Sequence, residues 1–132
     1  MVMRYVTDTH ALVWHITRDP RLSSRAAAVF EQADDARCSV VIPCIVFWEL
    51  TYLIEKGKLP AEVGLLVRAL SDAENYVVHP LCLPVIEAST RLPREALPDP
   101  WDRLIAGTAL HLRCPLLTRD AAIRQAGVEV VW

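Results

Sequence analysis

Lysine is almost missing from this 132-residue chain: Lys56 and Lys58 are the only two, and every other basic side chain apart from histidine is an arginine. Glycine is scarce as well, and the four present, Gly57, Gly64, Gly107 and Gly127, are scattered. No glycine-rich loop is available to cradle a phosphate through backbone amides, which excludes the common nucleotide-binding loops. The four cysteines, Cys38, Cys44, Cys82 and Cys114, stand apart in apolar stretches. Without paired spacing they suggest neither a zinc site nor a disulfide framework, and they read as small buried thiols in a reducing compartment. His10, His15, His79 and His111 make no metal-binding pair with a matching acid or cysteine. No apolar run is long enough to span a membrane, and "MVMRYVTD" is too short and too soon charged for a secretion signal. The expectation is a soluble cytoplasmic protein with no membrane partner.

A surplus of positive charge is also lacking. Lysine and arginine total 14 against 16 acidic residues, a formal net charge of −2, so this is not a simple basic nucleic-acid binder. Arginine suits bidentate phosphate contacts, although the alanine- and arginine-rich usage fits a GC-rich coding sequence equally well. Hydrophobic residues reach 53 %, above the usual share, which predicts a well-filled core or a buried subunit interface. The length suits one domain over residues 1–132, with no repeat, linker or low-complexity tract.

Short apolar runs alternate with helical patterns along the chain. Strands are predicted at 3–8, 38–43, 76–80, 115–118 and 128–132, each apolar or β-branched. Helices are predicted at 9–17, 24–33 (capped by Ser23 or Ser24), 44–58, 60–73, 84–92, 101–112 and 119–127, with Gly57 as a stop signal. A proline-rich loop covers 91–100. Strands alternating with crossover helices imply a three-layer α/β/α fold around a central, mostly parallel sheet. Function in such sheets gathers at the carboxyl ends of the strands.

The acids fall at those ends. Asp8 closes the first strand and Asp120 follows "LLTR" after the fourth. "DPWDRLIAGTAL" opens a helix with Asp99 and Asp102, where plain capping explains both: Asp99 as N-cap, Pro100 first, Asp102 third. Capping equally accounts for Asp8 and Asp120. Glu49 is different, because it sits in the apolar stretch "IVFWELTYLI" without a neighbouring base, where a buried charge is costly. Its alternative place is a narrow solvent stripe near Lys56 and Lys58. Taken together, the four acids Asp8, Glu49, Asp102 and Asp120 can converge at one sheet edge. An all-oxygen set of this kind suits Mg2+ or Mn2+ rather than zinc, and with it phosphodiester hydrolysis by a metal-activated water. No serine or cysteine has a histidine and acid frame to compete.

"VTDTHALVWHI", "FWELTYLIEKGKL", "DPWDRLIAGTAL" and "LLTRD", in this order, resemble the PIN-domain proteins, in particular the branch with VapC-type toxin ribonucleases of bacterial toxin–antitoxin pairs. The resemblance runs nearly end to end, to the final "VEVVW". It implies metal-binding, catalytic acids at Asp8, Glu49, Asp102 and Asp120, with Asp99 accessory or a cap and Thr118 as the small hydroxyl near the last acid. It implies a Mg2+- or Mn2+-dependent endoribonuclease leaving a 5′-phosphate and a 3′-hydroxyl. It further implies a homodimer whose site is masked by a small antitoxin. Arg103 and Arg119 are the candidate RNA phosphate contacts, each with an ordinary solvated role as the alternative. Two positions depart from the family pattern: Val46 stands where a serine is common, and Trp101 where phenylalanine is frequent. A receiver-like or haloacid-dehalogenase-like phosphotransfer domain is the competing enzyme class. It needs a second acid soon after the first and a late lysine, whereas Thr9 and His10 follow Asp8 and no lysine follows Lys58. A PIN-like fold serving only as an interaction module is the non-enzymatic alternative.

Overall fold

In the computed structural model, which describes residues 2–132, five parallel strands form one sheet. They are β1 (Arg4–Thr7), β2 (Ser39–Pro43), β3 (Tyr76–His79), β4 (Leu116–Leu117) and β5 (Val130–Val131), in the order β3-β2-β1-β4-β5. The helices between them are α1 (Thr9–Ile16), α2 (Ser24–Asp34), α3 (Cys44–Glu55), α4 (Val63–Asp72), α5 (Leu83–Thr90), α6 (Pro100–Leu112) and α7 (Ala121–Gln125). The α/β expectation holds, and every described strand pair is parallel. The order also separates this fold from the receiver-like alternative, whose strands run 2-1-3-4-5.

Burial explains why these segments are strands. Val6 and Thr7 of β1 and Val40, Val41 and Ile42 of β2 are at most 1 % exposed. Such near-continuous burial on both faces belongs to a parallel sheet covered by helices on each side. The chain runs from β1 outward to β2 and β3, then returns to the opposite side of β1 for β4 and β5. With right-handed crossovers, that reversal puts helices on both faces. Phe30, Leu12, Leu50, Ile105 and Ile123 then fill the space between helices and sheet. Each such side chain contributes about 1.5–3 kcal/mol on burial.

Several boundaries move from their sequence positions, mostly because of capping. The helix expected over 60–73 starts at Val63, since the Glu62 carboxylate accepts from the Gly64 and Leu65 amides, both at 2.9 Å. Ser23, not Ser24, caps α2 through its Oγ, which accepts from the Ala26 amide at 3.1 Å. The 44–58 helix stops at Glu55 because Gly57 turns to φ +72°, and the Gly57 and Lys58 amides bond back to the Ile54 and Leu53 carbonyls. The helix expected from 84 begins at Leu83, with Pro84 in its first turn. The helix expected over 119–127 starts only after its Asp120 cap, and β4 and β5 each shrink to two residues. The proline-rich 91–99 segment is packed down, with Leu92 and Leu97 buried.

Helix α6 lies very close to α5. A Cβ added at Gly107 would fall onto the Ser89 hydroxyl and 2.9 Å from the Ser89 Cα. Ser89 is buried and donates to the Val85 carbonyl at 2.8 Å, so it has little room to retreat. Gly107→Ala should therefore destabilise by about 1–3 kcal/mol through overpacking, although alanine alone favours a helix by about 1 kcal/mol. Urea unfolding should show a lower midpoint at unchanged slope. A midpoint at or above that of the wild type would refute the tight approach.

Candidate active site

Three aspartates cap three helices at one end of the sheet. Asp8 follows β1 directly, and its Oδ1 accepts from the Ala11 amide at 2.8 Å to start α1. Asp120 follows β4, and its Oδ1 accepts from the Ala122 amide at 2.9 Å to start α7. Asp99 caps α6, its Oδ1 accepting from the Trp101 and Asp102 amides at 2.8 and 3.2 Å. Capping is thus real at all three positions. At Asp99 and Asp120 it occupies Oδ1 and leaves Oδ2 uncommitted, since an ionised carboxylate has two acceptor oxygens, while the Asp8 carboxylate also takes the Thr118 hydroxyl.

The register brings these helix starts together. β1 pairs with β4 through Val6↔Leu116 and Thr7↔Leu117, and the Asp8 amide donates to the Leu117 carbonyl at 3.1 Å. This junction is where the strand order reverses, the place where open α/β sheets form their crevice. A cavity of about 380 Å³ opens there, lined by Asp8, Glu49, Asp99, Asp102, Thr118 and Asp120. All six acids and hydroxyls singled out in the sequence share it. His10, Trp14, Arg119 and Ile123 complete its wall.

Local contacts hold the acids in place. Glu49 reaches in from α3, where the Thr9 hydroxyl donates to its Oε1 at 2.7 Å across 40 residues of chain. Thr118 is fully buried, and its Oγ1 accepts from the Asp120 amide at 3.1 Å. Asp102 projects from the first turn of α6 with nothing donating to its carboxylate among the described residues.

Crowding shows in the acidities. Burial, then the charges of Asp99, Glu49, Asp120 and Asp8, push the Asp102 carboxyl up to about 7. Burial raises Glu49 as well, with the Thr9 hydrogen bond opposing and Asp99 and Asp8 adding to it. Asp8 is raised by burial first, against the Thr118 hydroxyl and the Ala11 amide, which favour its ionised form. Desolvation and like charge act together here, as expected of carboxylates sharing a cleft.

Of the two arginines singled out, the structure places only Arg119 at the cavity, with its guanidinium 5.8 Å from the centre of the Trp14 ring. Arg103 turns away, and its Nε donates to the Leu92 carbonyl at 3.1 Å, tying the 91–99 segment to α6. Sequence reasoning missed Thr9 and His10. The signal for Thr9 is its hydroxyl beside Asp8, while His10 lacks the paired spacing that marks a metal ligand in sequence.

Five carboxylates and a hydroxyl, without a cysteine, form a donor set for a hard cation. Arg119 and His10 are the only basic side chains lining the cavity among the described residues, too few to neutralise it. As they stand, no three acids, histidines or cysteines among the described residues close around one point.

Known proteins of this kind exist. The PIN domain family matches residues 5–129. The ribonuclease VapC22 of Mycobacterium tuberculosis is 28 % identical over 117 residues, covering 89 % of this chain and 87 % of that protein. Two solved structures share the fold at 18 % identity: VapBC2 from Rickettsia felis bound to a promoter DNA fragment, and DNA-bound VapBC from Salmonella typhimurium. Their TM-scores are 0.73 and 0.71, over 97 % and 98 % of this chain and 97 % of each of theirs. With the match running from β1 to the edge of β5 and the acid-lined crevice at the strand reversal, this chain belongs to the PIN domain family.

Proposed function

We propose that the protein is an endoribonuclease dependent on Mg2+ or Mn2+, acting as the toxin of a toxin–antitoxin pair. The observation that carries this reading is the crowding of five carboxylates in one cavity without enough positive charge to balance them. The relationship to a protein named as a ribonuclease supports the same chemistry. Asp8, Glu49, Asp102 and Asp120 hold the cation, with Asp99 and Thr118 as accessory groups. A divalent cation bound there supplies an activated water and stabilises charge on the phosphate.

The chain's own groups do the rest. Capping bonds fix Asp8 and Asp120 through Oδ1, so Oδ2 can face the cavity without rotational search. Thr9 orients Glu49, and Thr118 fixes the turn that carries Asp120. Arg119, exposed at the rim, draws the RNA phosphate. Cleavage then leaves a 5′-phosphate and a 3′-hydroxyl.

Partners follow from the same surface. A small antitoxin masks the cavity, with an arginine standing in for the cation, because a guanidinium pairs well with carboxylates. The related structures of VapBC bound to DNA support such a partner. A homodimer is supported by apolar side chains left in solvent on α4, β3 and α5, namely Leu65, Val77, Leu83 and Ile86. Among the described residues no helix is long and apolar enough to cross a membrane. Together with the four free cysteines, this supports a cytoplasmic place of action.

Asp8→Asn and Asp102→Asn should each abolish cleavage of a generic RNA, as EDTA should in the wild type. Asparagine keeps a capping oxygen, so Asp8→Asn removes charge while preserving the start of α1. Substantial cleavage by either purified variant would sink the assignment.

RNA affinity for an uncleavable analogue should rise with Mg2+ and fall with monovalent salt. Arg119→Ala should weaken binding across sequences and lower the salt slope by about one. Equal affinity with and without Mg2+ would argue against metal-assisted binding.

Asp102 also sets a pH dependence. Its pKa is raised in the fold from 3.8 to about 7, so the folded state holds its proton more tightly than the unfolded chain. The stability tied to that proton is fully present below about pH 4 and lost as pH rises through about 7. In EDTA, Asp102→Asn should therefore be more stable than wild type at pH 8 by about 1 kcal/mol, after discounting for the screening of a partly exposed group. The difference should vanish by pH 4. Mg2+ should raise the wild-type melting temperature and move the variant much less. If the variant melts lower in EDTA at pH 8, the favourable helix-dipole contact of Asp102 dominates and crowding is not the controlling term.

A further inference from the structure

Beside the acid cavity lies a second one, of about 400 Å³, and the two share His10 and Glu49. Its remaining wall is Thr9, Leu53 and three aromatic rings: Trp48, Tyr52 and Trp101. We infer that this aromatic cavity is a stacking subsite for an unpaired nucleobase of the RNA, adjoining the phosphate held at the acids. The inference rests on the nuclease reading and deepens it, naming the rings that seat a base beside the phosphate at the acids.

The rings are available. Trp48, Tyr52 and Trp101 are 58 %, 54 % and 41 % exposed, unusual for large apolar rings in a folded domain. Trp48 and Tyr52 stand one turn apart on α3 and so share a face, while Trp101 approaches from the first turn of α6, beside Asp102. Lys56 already covers the Tyr52 ring, its Nζ 4.4 Å from the centroid. Trp48 and Trp101 have no ring or cation stacked on them among the described residues, which leaves the two indoles as the free faces.

Charge decides what part of a nucleotide enters. No lysine or arginine lines this cavity among the described residues, and Glu49 forms one edge, so a phosphate is repelled from it. A neutral planar base is not. Its volume falls within the range of about 300–1,000 Å³ usual for small-molecule sites. The shared Glu49 and His10 make the two cavities contiguous, so a strand with its phosphate at the acids has a base at the aromatic wall. Lys56, just beyond Tyr52, is placed to meet a further phosphate. A duplex keeps its bases stacked inside, whereas a single strand can present one to the rings.

The test uses the full chain with single-stranded RNA 12-mers in which one abasic site is walked along the strand. Cleavage is measured in Mg2+, and binding by anisotropy with hydrolysis-resistant analogues. For wild type, one abasic position near the cut should weaken binding about tenfold, the scale of one lost base–aromatic stack. Trp48→Ala and Trp101→Ala should each lose about tenfold on intact RNA, mainly in KM and affinity rather than kcat. They should lose nothing further on the abasic strand, and Trp48→Phe should recover part of the loss. Thermal melts close to wild type are expected, because both rings are exposed. Metal-dependent cleavage that is indifferent to both tryptophan substitutions overturns the subsite and leaves the nuclease reading standing. Unchanged RNA binding with lost binding of an antitoxin segment also overturns it, assigning the rings to a protein partner. Wild type that neither binds nor cleaves RNA in Mg2+ or Mn2+ overturns both readings.

Discussion

Two residue pairs, Val6↔Leu116 and Thr7↔Leu117, join β1 to β4, and the placement of the acids depends on them. β1 is the strand from which the order runs outward in both directions, so its ladder with β4 is the seam of the sheet. Asp8 and Asp120 leave that seam from neighbouring strand ends. Leu116 and Leu117 face opposite, helix-covered sides of the sheet, so a slip of one residue in β4 would swap them and bring each into space packed for the other. Their complete burial makes such a slip costly, so hydrophobic register indirectly sets the spacing of the charges.

Capping and charge clustering are usually read as alternatives, yet here the same carboxylates do both. An N-cap oxygen contributes about 1 kcal/mol to its helix. It also holds the side chain in one orientation, which a flexible surface acid lacks. Asp102, which caps nothing, is the member whose pKa is raised to about 7. The arrangement is less stable without a counter-charge than a neutral site would be, a compromise typical of functional centres.

The apolar surplus of the chain is divided between two destinations. Part fills the core around Phe30, Leu12 and Leu50. Part stays in solvent, as Leu65, Val77, Leu83 and Ile86 on α4, β3 and α5 and as Trp48, Tyr52 and Trp101 beside the acids. Exposed large apolar groups in clusters mark surfaces that are covered in use. The second cluster adjoins Glu49, so its occupant lies next to whatever the acids hold.

Much of the fold was legible in the chain because its signals are local. Alternating strand and helix patterns, the stop at Gly57 and the acids at strand ends each depend on a few neighbouring residues. Lengths were less legible: Glu62 and Asp120 start helices late, and β4 and β5 pair over only two residues. The residue types at Asp8, Glu49, Asp102 and Asp120 by themselves determined that any site would have oxygen donors. Whether Glu49 faced solvent or the other acids was settled by its Thr9 hydrogen bond across 40 residues, which no local pattern encodes. The same is true of Arg103 and Arg119, alike in sequence, of which one is bound to the Leu92 carbonyl and the other lines the cavity. Trp48 stands among apolar neighbours in the chain, and the packing of α3 leaves it exposed. Sequence determined the chemistry each side chain carries, because that is covalent. Tertiary structure decided which of them share a cavity, because that depends on strand order and helix packing between residues far apart in the chain.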